Sequence, residues 1–190
     1  MALYHWVYTG KDDYIFAAML GLSDIDIETG TERIEQLYQQ LKSEFWSKNS
    51  VQALAQILGL GEESHEIVNR VLSLRDALRN QNIKLDKRYT LSSLGVLALL
   101  PADVDTIAQD LRYVLKFLRS QKGFGFFSVT TQELLLFAVA IVASGYTENM
   151  KNTAGTASIS TSIASIIIAQ QTAVIVAASS ASAASHSSSN

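Results

Sequence analysis

The sequence predicts an all-α chain, an α-solenoid-like array of antiparallel helical hairpins of about 40 residues each, plus an apolar helix at the C-terminal end. Three observations carry this. Ala17-Ala18-Met19-Leu20-Gly21-Leu22 is echoed by Ala55-Gln56-Ile57-Leu58-Gly59-Leu60 and, more loosely, by Gly95-Val96-Leu97-Ala98-Leu99-Leu100. A period of that length marks stacked supersecondary units. Apolar residues between the copies recur with helical spacing, and no segment sustains the period-two alternation of a strand. The chain also has a single Pro in 190 residues, as suits helices whose interiors Pro would break.

The first hairpin reads as a helix from about Asp12 to Leu22 followed by one from about Gly30 to Phe45. In the latter, Ile34, Leu37, Tyr38, Leu41 and Phe45 form one stripe, and Thr29 with Glu32 has the form of a capping box. Asn49 with Gln52 suits the start of a short helix through Leu54, Ile57 and Leu58, which Gly59 and Gly61 end. From Ser64 to about Asn80, Ile67, Val68, Val71, Leu74 and Leu78 share a face. The third hairpin pairs Ser92–Leu100 with Asp103–Gln121 across Pro101, with a stripe of Val104, Ile107, Leu111, Val114, Leu115 and Leu118. Gly123 to Phe127 is a break, and Thr130-x-x-Glu133 is a second capping box. The helix after it, Leu134 to Ser144, is apolar on nearly every side and is expected to be buried. Short apolar helices thus alternate with longer amphipathic ones, in about three and a half hairpins.

Fifteen basic against eighteen acidic residues give a net charge of −3, without the basic stripe of a nucleic-acid binder. No Cys is present, which excludes disulfides and thiolate chemistry. The start of the chain lacks the basic and apolar regions of a signal peptide, so a cytoplasmic location is expected. After Glu133 the only formal charges are Glu148 and Lys151, which divides the chain into a helical-repeat domain over 1–150 and a tail over 151–190 that is uncharged after Lys151. Residues 157–178 of that tail reach the ~20 residues of a bilayer-spanning helix. Paired glutamines, Gln170 and Gln171, the many hydroxyls and the absence of anchors at the C-terminal end favour instead a final helix packed on the array, with a Ser/Ala-rich disordered end.

Asp24, Asp26, Glu28 and Glu35 fall at calcium-loop positions, but Thr29 stands where that loop needs its Gly, so an ordinary acidic inter-helix loop is the reading. His5, His65 and His186 have no partner at helical spacing, and no metal or cofactor is expected. Lys84-Leu85-Asp86-Lys87-Arg88 reads as a solvated loop. Phe124, Phe126 and Phe127 read first as an aromatic plug between hairpins, and second as part of a peptide groove. The candidate partner-binding residues are Tyr8, Asp12, Asp13, Phe124, Phe126 and Phe127.

Three passages together resemble a known family: Tyr8-Thr9-Gly10-Lys11-Asp12-Asp13-Tyr14 with the alanines after it, Ile83-Lys84-Leu85 before Leu94 to Leu100, and Gln121-Lys122-Gly123-Phe124-Gly125-Phe126. The chain is similar over about residues 4–144, and in its tail, to the bacterial family called domain of unknown function 4003, found mainly in Firmicutes. The resemblance implies a longer parent array, of which this chain matches the C-terminal half. It assigns no activity and no catalytic residue. The leading expectation is a non-enzymatic scaffold that binds a protein or peptide on the concave face of the array. The alternatives are a membrane-associated protein anchored through residues 157–178, and an enzyme working through Asp12 and Asp13.

Overall fold

The computed structural model describes residues 25–61, 65–88, 90–125 and 128–151, with side chains to residue 147. Over these residues the chain is all-helical, with six helices and no strand. They are α1 (Ile27–Leu41), α2 (Lys48–Gly59), α3 (Ile67–Asn80), α4 (Leu91–Ala98), α5 (Val104–Ser120) and α6 (Thr131–Lys151). The expected helix at 12–22 and the C-terminal segment at 157–178 lie outside the described residues.

Helix starts follow side-chain chemistry. The Asp26 carboxylate accepts the Thr29 N–H at 3.0 Å, so α1 begins three residues earlier than the Thr29–Glu32 pair suggests. A carboxylate at the N-cap also answers the positive end of the helix dipole. Asp103 caps α5 in the same way, with the Thr106 N–H at 2.8 Å. Thr130 and Glu133 form the reciprocal box expected of them. The Glu133 N–H donates to Thr130 Oγ1 at 3.2 Å, and the Thr130 N–H donates to Glu133 Oε2 at 2.8 Å. The hydrogen bonds from Thr29, Thr106 and Thr130 hold the carboxyls of Asp26, Asp103 and Glu133 below their ordinary pKa. α3 ends in a Schellman motif. Asn82 is left-handed (φ 60), its N–H donates to Arg79 O, and the Ile83 N–H donates to Leu78 O, both at 2.9 Å. Ile83 and Leu85 are then buried, so the charge run at 84–88 is anchored in the core rather than fully solvated.

The helices stack in two layers. The long helices α1, α3 and α5 adjoin one another in order, and α2, α4 and α6 do the same in the second layer. Each first-layer helix packs on the helix that follows it, α1 on α2, α3 on α4 and α5 on α6. The hairpin unit therefore starts at α1, α3 and α5, offset by one helix from the short-then-long pairing read from the sequence. The core runs between the layers, where Leu54, Leu58, Leu74, Leu94, Leu97, Ile107 and Leu111 are fully buried or within 1% of it.

The three long helices superimpose in sequence at an offset of 37 residues. Ile34, Val71 and Ala108 are equivalent, as are Leu37, Leu74 and Leu111, and all six are buried. The same offset relates two arginines. Arg33 on α1 donates to the carbonyls of Gly61 (2.8 Å) and Leu58 (3.4 Å) at the end of α2. Arg70 on α3 donates to Ala98 O and Leu100 O, each at 2.7 Å, and to Ala102 O, at the end of α4. A helix C-terminus leaves carbonyls unpaired and carries partial negative charge, so a guanidinium from the preceding long helix satisfies both.

The glycines of the repeated phrase serve close approach. Among the described glycines only Gly123 has positive φ (91°), so Gly59 and Gly61 do not end α2 through a left-handed conformation. A Cβ on Gly59 would lie 2.5 Å from Ile34 Cγ1, and one on Gly95 would lie 2.8 Å from Leu54 Cδ1. Gly59 thus lets α2 seat on α1, and Gly95 lets α4 seat on α2.

Candidate interaction surface

Of the sequence-predicted site residues, Tyr8, Asp12, Asp13, Phe126 and Phe127 lie outside the described residues. Phe124 is half-buried, and its ring meets Phe137 of α6 edge-on, with centroids 5.9 Å apart and planes at 81°. Arg119 ties this turn down by donating to the carbonyls of Phe124 (2.9 Å) and Val129 (3.2 Å). Phe124 therefore sits as a plug between α5 and α6. Of the carboxylates in the acidic inter-helix loop and the helix after it, Asp26 caps α1 and Glu35 accepts from Gln39 at 2.6 Å. Among the described residues no group of three His, Asp or Glu is placed to hold a metal ion.

A cleft of about 480 Å³ opens instead where the α1–α2 turn meets the α3–α4 loop. Phe45, Trp46 and Ser47 form one wall, Asp86, Lys87 and Arg88 the other, and Ser50 and Leu91 line it between them. The walls are joined by hydrogen bonds. Ser50 Oγ lies 2.8 Å from both Arg88 O and Ser47 Oγ. With one proton per hydroxyl, Ser50 donates to the Arg88 carbonyl while the Ser47 hydroxyl donates to Ser50.

Each wall is also braced from α3. Arg75 pairs with Glu44 at 3.2 Å and with Asp76 at 2.8 Å, and its guanidinium carbon stands 5.7 Å from the centroid of the Phe45 ring. This cation–π contact fixes the buried half of the Phe45–Trp46 pair. Arg79 donates to Asp86 Oδ2, through Nε at 3.0 Å and through Nη2. Burial pushes the Asp86 pKa up, but the Arg79 hydrogen bond and charge outweigh it, so Asp86 stays ionised with a net lowered pKa. Its other oxygen, Oδ1, is buried and accepts no hydrogen bond from the described residues.

Trp46 is the exception in this braced setting, being fully exposed (101%). Lys87 and Arg88 of the opposite wall are exposed as well. Sequence reading missed both Trp46 and the cleft, because the walls come from segments about 40 residues apart. The available signal was the period itself, which stacks equivalent loops of successive hairpins at one edge.

These features define a two-layer helical-repeat protein with an aromatic, cation-rimmed cleft at the loop edge of the array. Residues 1–172 match the family described as "Protein of unknown function (DUF4003)", and the chain belongs to that family. The match extends past the last described helix into the uncharged tail. No curated protein and no solved structure matches the chain.

Proposed function

We propose that the chain is a non-enzymatic helical-repeat scaffold that binds a protein or peptide segment at the Trp46 cleft. The observation that carries this reading is the complete exposure of Trp46 on a turn otherwise held rigid by Arg75. Exposing an indole is costly, whereas Trp is the side chain most enriched among residues that dominate binding energy. Leu91 and the edge of Phe45 offer an apolar floor, and Lys87 and Arg88 supply positive charge at the rim. The fitting ligand is a segment with an apolar anchor flanked by carboxylates. This reading puts the partner at the loop edge, rather than on the concave face foreseen from the sequence.

Selection from a displayed peptide library tests it. Acidic peptides with an aromatic or aliphatic anchor should be enriched on the wild-type chain, and Trp46→Ala and Lys87→Glu should each weaken their binding at least about tenfold. Enrichment that ignores both substitutions, or no enrichment, contradicts the proposal. The anchoring and enzymatic alternatives fall on residues outside those described. Among the described residues, no helix is long and apolar enough to cross a membrane.

A further inference from the structure

Carboxylates stand at the Trp46 cleft, although the ligand that fits it is acidic. Glu44 directly precedes the Phe45–Trp46 wall, and Asp86 lines the opposite wall itself. Left bare, both would repel an acidic segment. Neither is bare. Arg75 holds Glu44 at 3.2 Å, and Arg79, one turn further along α3, holds Asp86 through Nε at 3.0 Å and through Nη2. The two arginines share Asp76, whose Oδ1 lies 2.8 Å from Arg75 Nε and 3.8 Å from Arg79 Nη1. Residues four apart lie on one face of a helix, so α3 offers one cation to each wall.

The Arg79–Asp86 pair matters most to the cleft, because Asp86 is the one carboxylate among its lining residues. The Asp86 side chain is 12% exposed, so water screens it poorly. Its charge must be met by a cation, and Arg79 meets it from outside the lining of the cleft. Lys87 is the second cation acting on the Asp86 carboxyl, and it helps to hold it ionised. Without Arg79, Asp86 would turn to Lys87. That lysine is exposed on the same wall, where it would otherwise meet the ligand.

We infer that Arg79 is the specificity-determining residue of the Trp46 cleft, selecting a segment with acidic flanks over one with neutral or basic flanks. It does so without touching the ligand. By holding Asp86 it cancels a repelling charge in the wall and leaves Lys87 available to the ligand's carboxylates. This role rests on the Trp46 cleft being the binding site, and adds which residue makes that site read charge.

Fluorescence anisotropy with three labelled peptides tests it: a leucine flanked by glutamates, and twins with glutamines or lysines in their place. The wild type should bind the glutamate peptide at least about tenfold more tightly than the glutamine twin, and the lysine twin most weakly. Arg79→Ala should cut the preference for glutamate over glutamine to about twofold or less, with binding of the glutamine twin unchanged. Adding Asp86→Asn should restore the preference, because the repelling charge is gone and Lys87 is released. Equal weakening of the glutamate and glutamine peptides by Arg79→Ala, or no recovery with Asp86→Asn, overturns the charge role and leaves the cleft standing as the binding site. A wild type that binds none of the peptides, or binds them regardless of Trp46→Ala, overturns the cleft reading and the role of Arg79 with it.

Discussion

Replacing Arg70 by Ala tests the arginine clamp, the contact that joins the two layers in the first two repeats. Arg70 supplies hydrogen bonds to three carbonyls at the end of α4. Leu100 O keeps the Ala102 N–H at 2.9 Å, so two carbonyls, of Ala98 and Ala102, lose their donor. Ala98 is 1% exposed and water cannot replace the guanidinium there, whereas half-buried Ala102 recovers part of its solvation. A buried carbonyl left unpaired costs about 1–3 kcal/mol, and loss of a hydrogen bond to a charged group costs a similar amount. The contributions are not additive, so the net loss should be about 2–4 kcal/mol. Arg33→Ala should cost less at this junction, since its bond to Leu58 O is long, at 3.4 Å. The assay is urea unfolding followed by far-ultraviolet circular dichroism. With a slope of roughly 2 kcal/mol per molar, the midpoint for Arg70→Ala should fall by about 1–2 M with the slope unchanged. Arg70→Lys should recover only part of the loss, because an ammonium lacks the planar fork that reaches several carbonyls at once. A loss below about 0.5 kcal/mol for Arg70→Ala, or a larger loss for Arg33→Ala, would refute the clamp.

Three further outcomes follow from the packing. Gly59→Ala should destabilise by about 1–2 kcal/mol, because the new methyl meets the branched, buried Ile34 at 2.5 Å. Gly61→Ala should be near neutral, because the obstacle there is the tip of half-buried Leu99, which can rotate away; equal losses in urea titrations would contradict this contrast. Ser93 is fully buried on α4 and its hydroxyl has no hydrogen-bond partner among the described residues, so Ser93→Ala should raise the unfolding midpoint, worth about 1 kcal/mol. A loss of stability would show that the hydroxyl has a partner. Burial, then the hydrogen bond to Asp110, raises the Tyr146 pKa from 10.0 to about 12. A pKa raised on folding stabilises fully below the unfolded value, so this contribution should be complete below about pH 10 and lost as pH rises through about 12. Tyr146→Phe should be less stable near neutral pH and lack that alkaline loss; an alkaline profile identical to the wild type would contradict it.

The long helices were readable because a buried stripe on one face leaves a strong 3.6-residue signal. Ile67, Val71, Leu74 and Leu78 on α3 are an example, and all four are buried. Boundaries were less legible where two caps compete. Asp26-x-x-Thr29 and Thr29-x-x-Glu32 overlap, and the carboxylate of Asp26 takes the helix start. Pairing of neighbours was harder still. The tight turn at Pro101 suggests α4 against α5, yet α4 packs mainly on α2 and on α3, because Gly95 admits the side chains of α2. The roles of Arg33 and Arg70 were not legible in the sequence, since nothing local reveals a carbonyl 28 residues further along the chain. The cleft was invisible for the same reason. Trp46 follows Phe45, the last residue of the expected stripe, and only the folded turn shows that Phe45 goes inward while Trp46 does not.

The most direct test of the functional account is the fluorescence of Trp46 itself. The chain has two tryptophans, so Trp6→Phe leaves Trp46 as the sole indole. Its emission should be that of a tryptophan in water, and should shift to the blue and resist quenching by iodide once an acidic, apolar-anchored peptide saturates the cleft. Emission already blue-shifted in the free chain, or unchanged at saturating peptide, would contradict the assignment of Trp46 as the binding anchor.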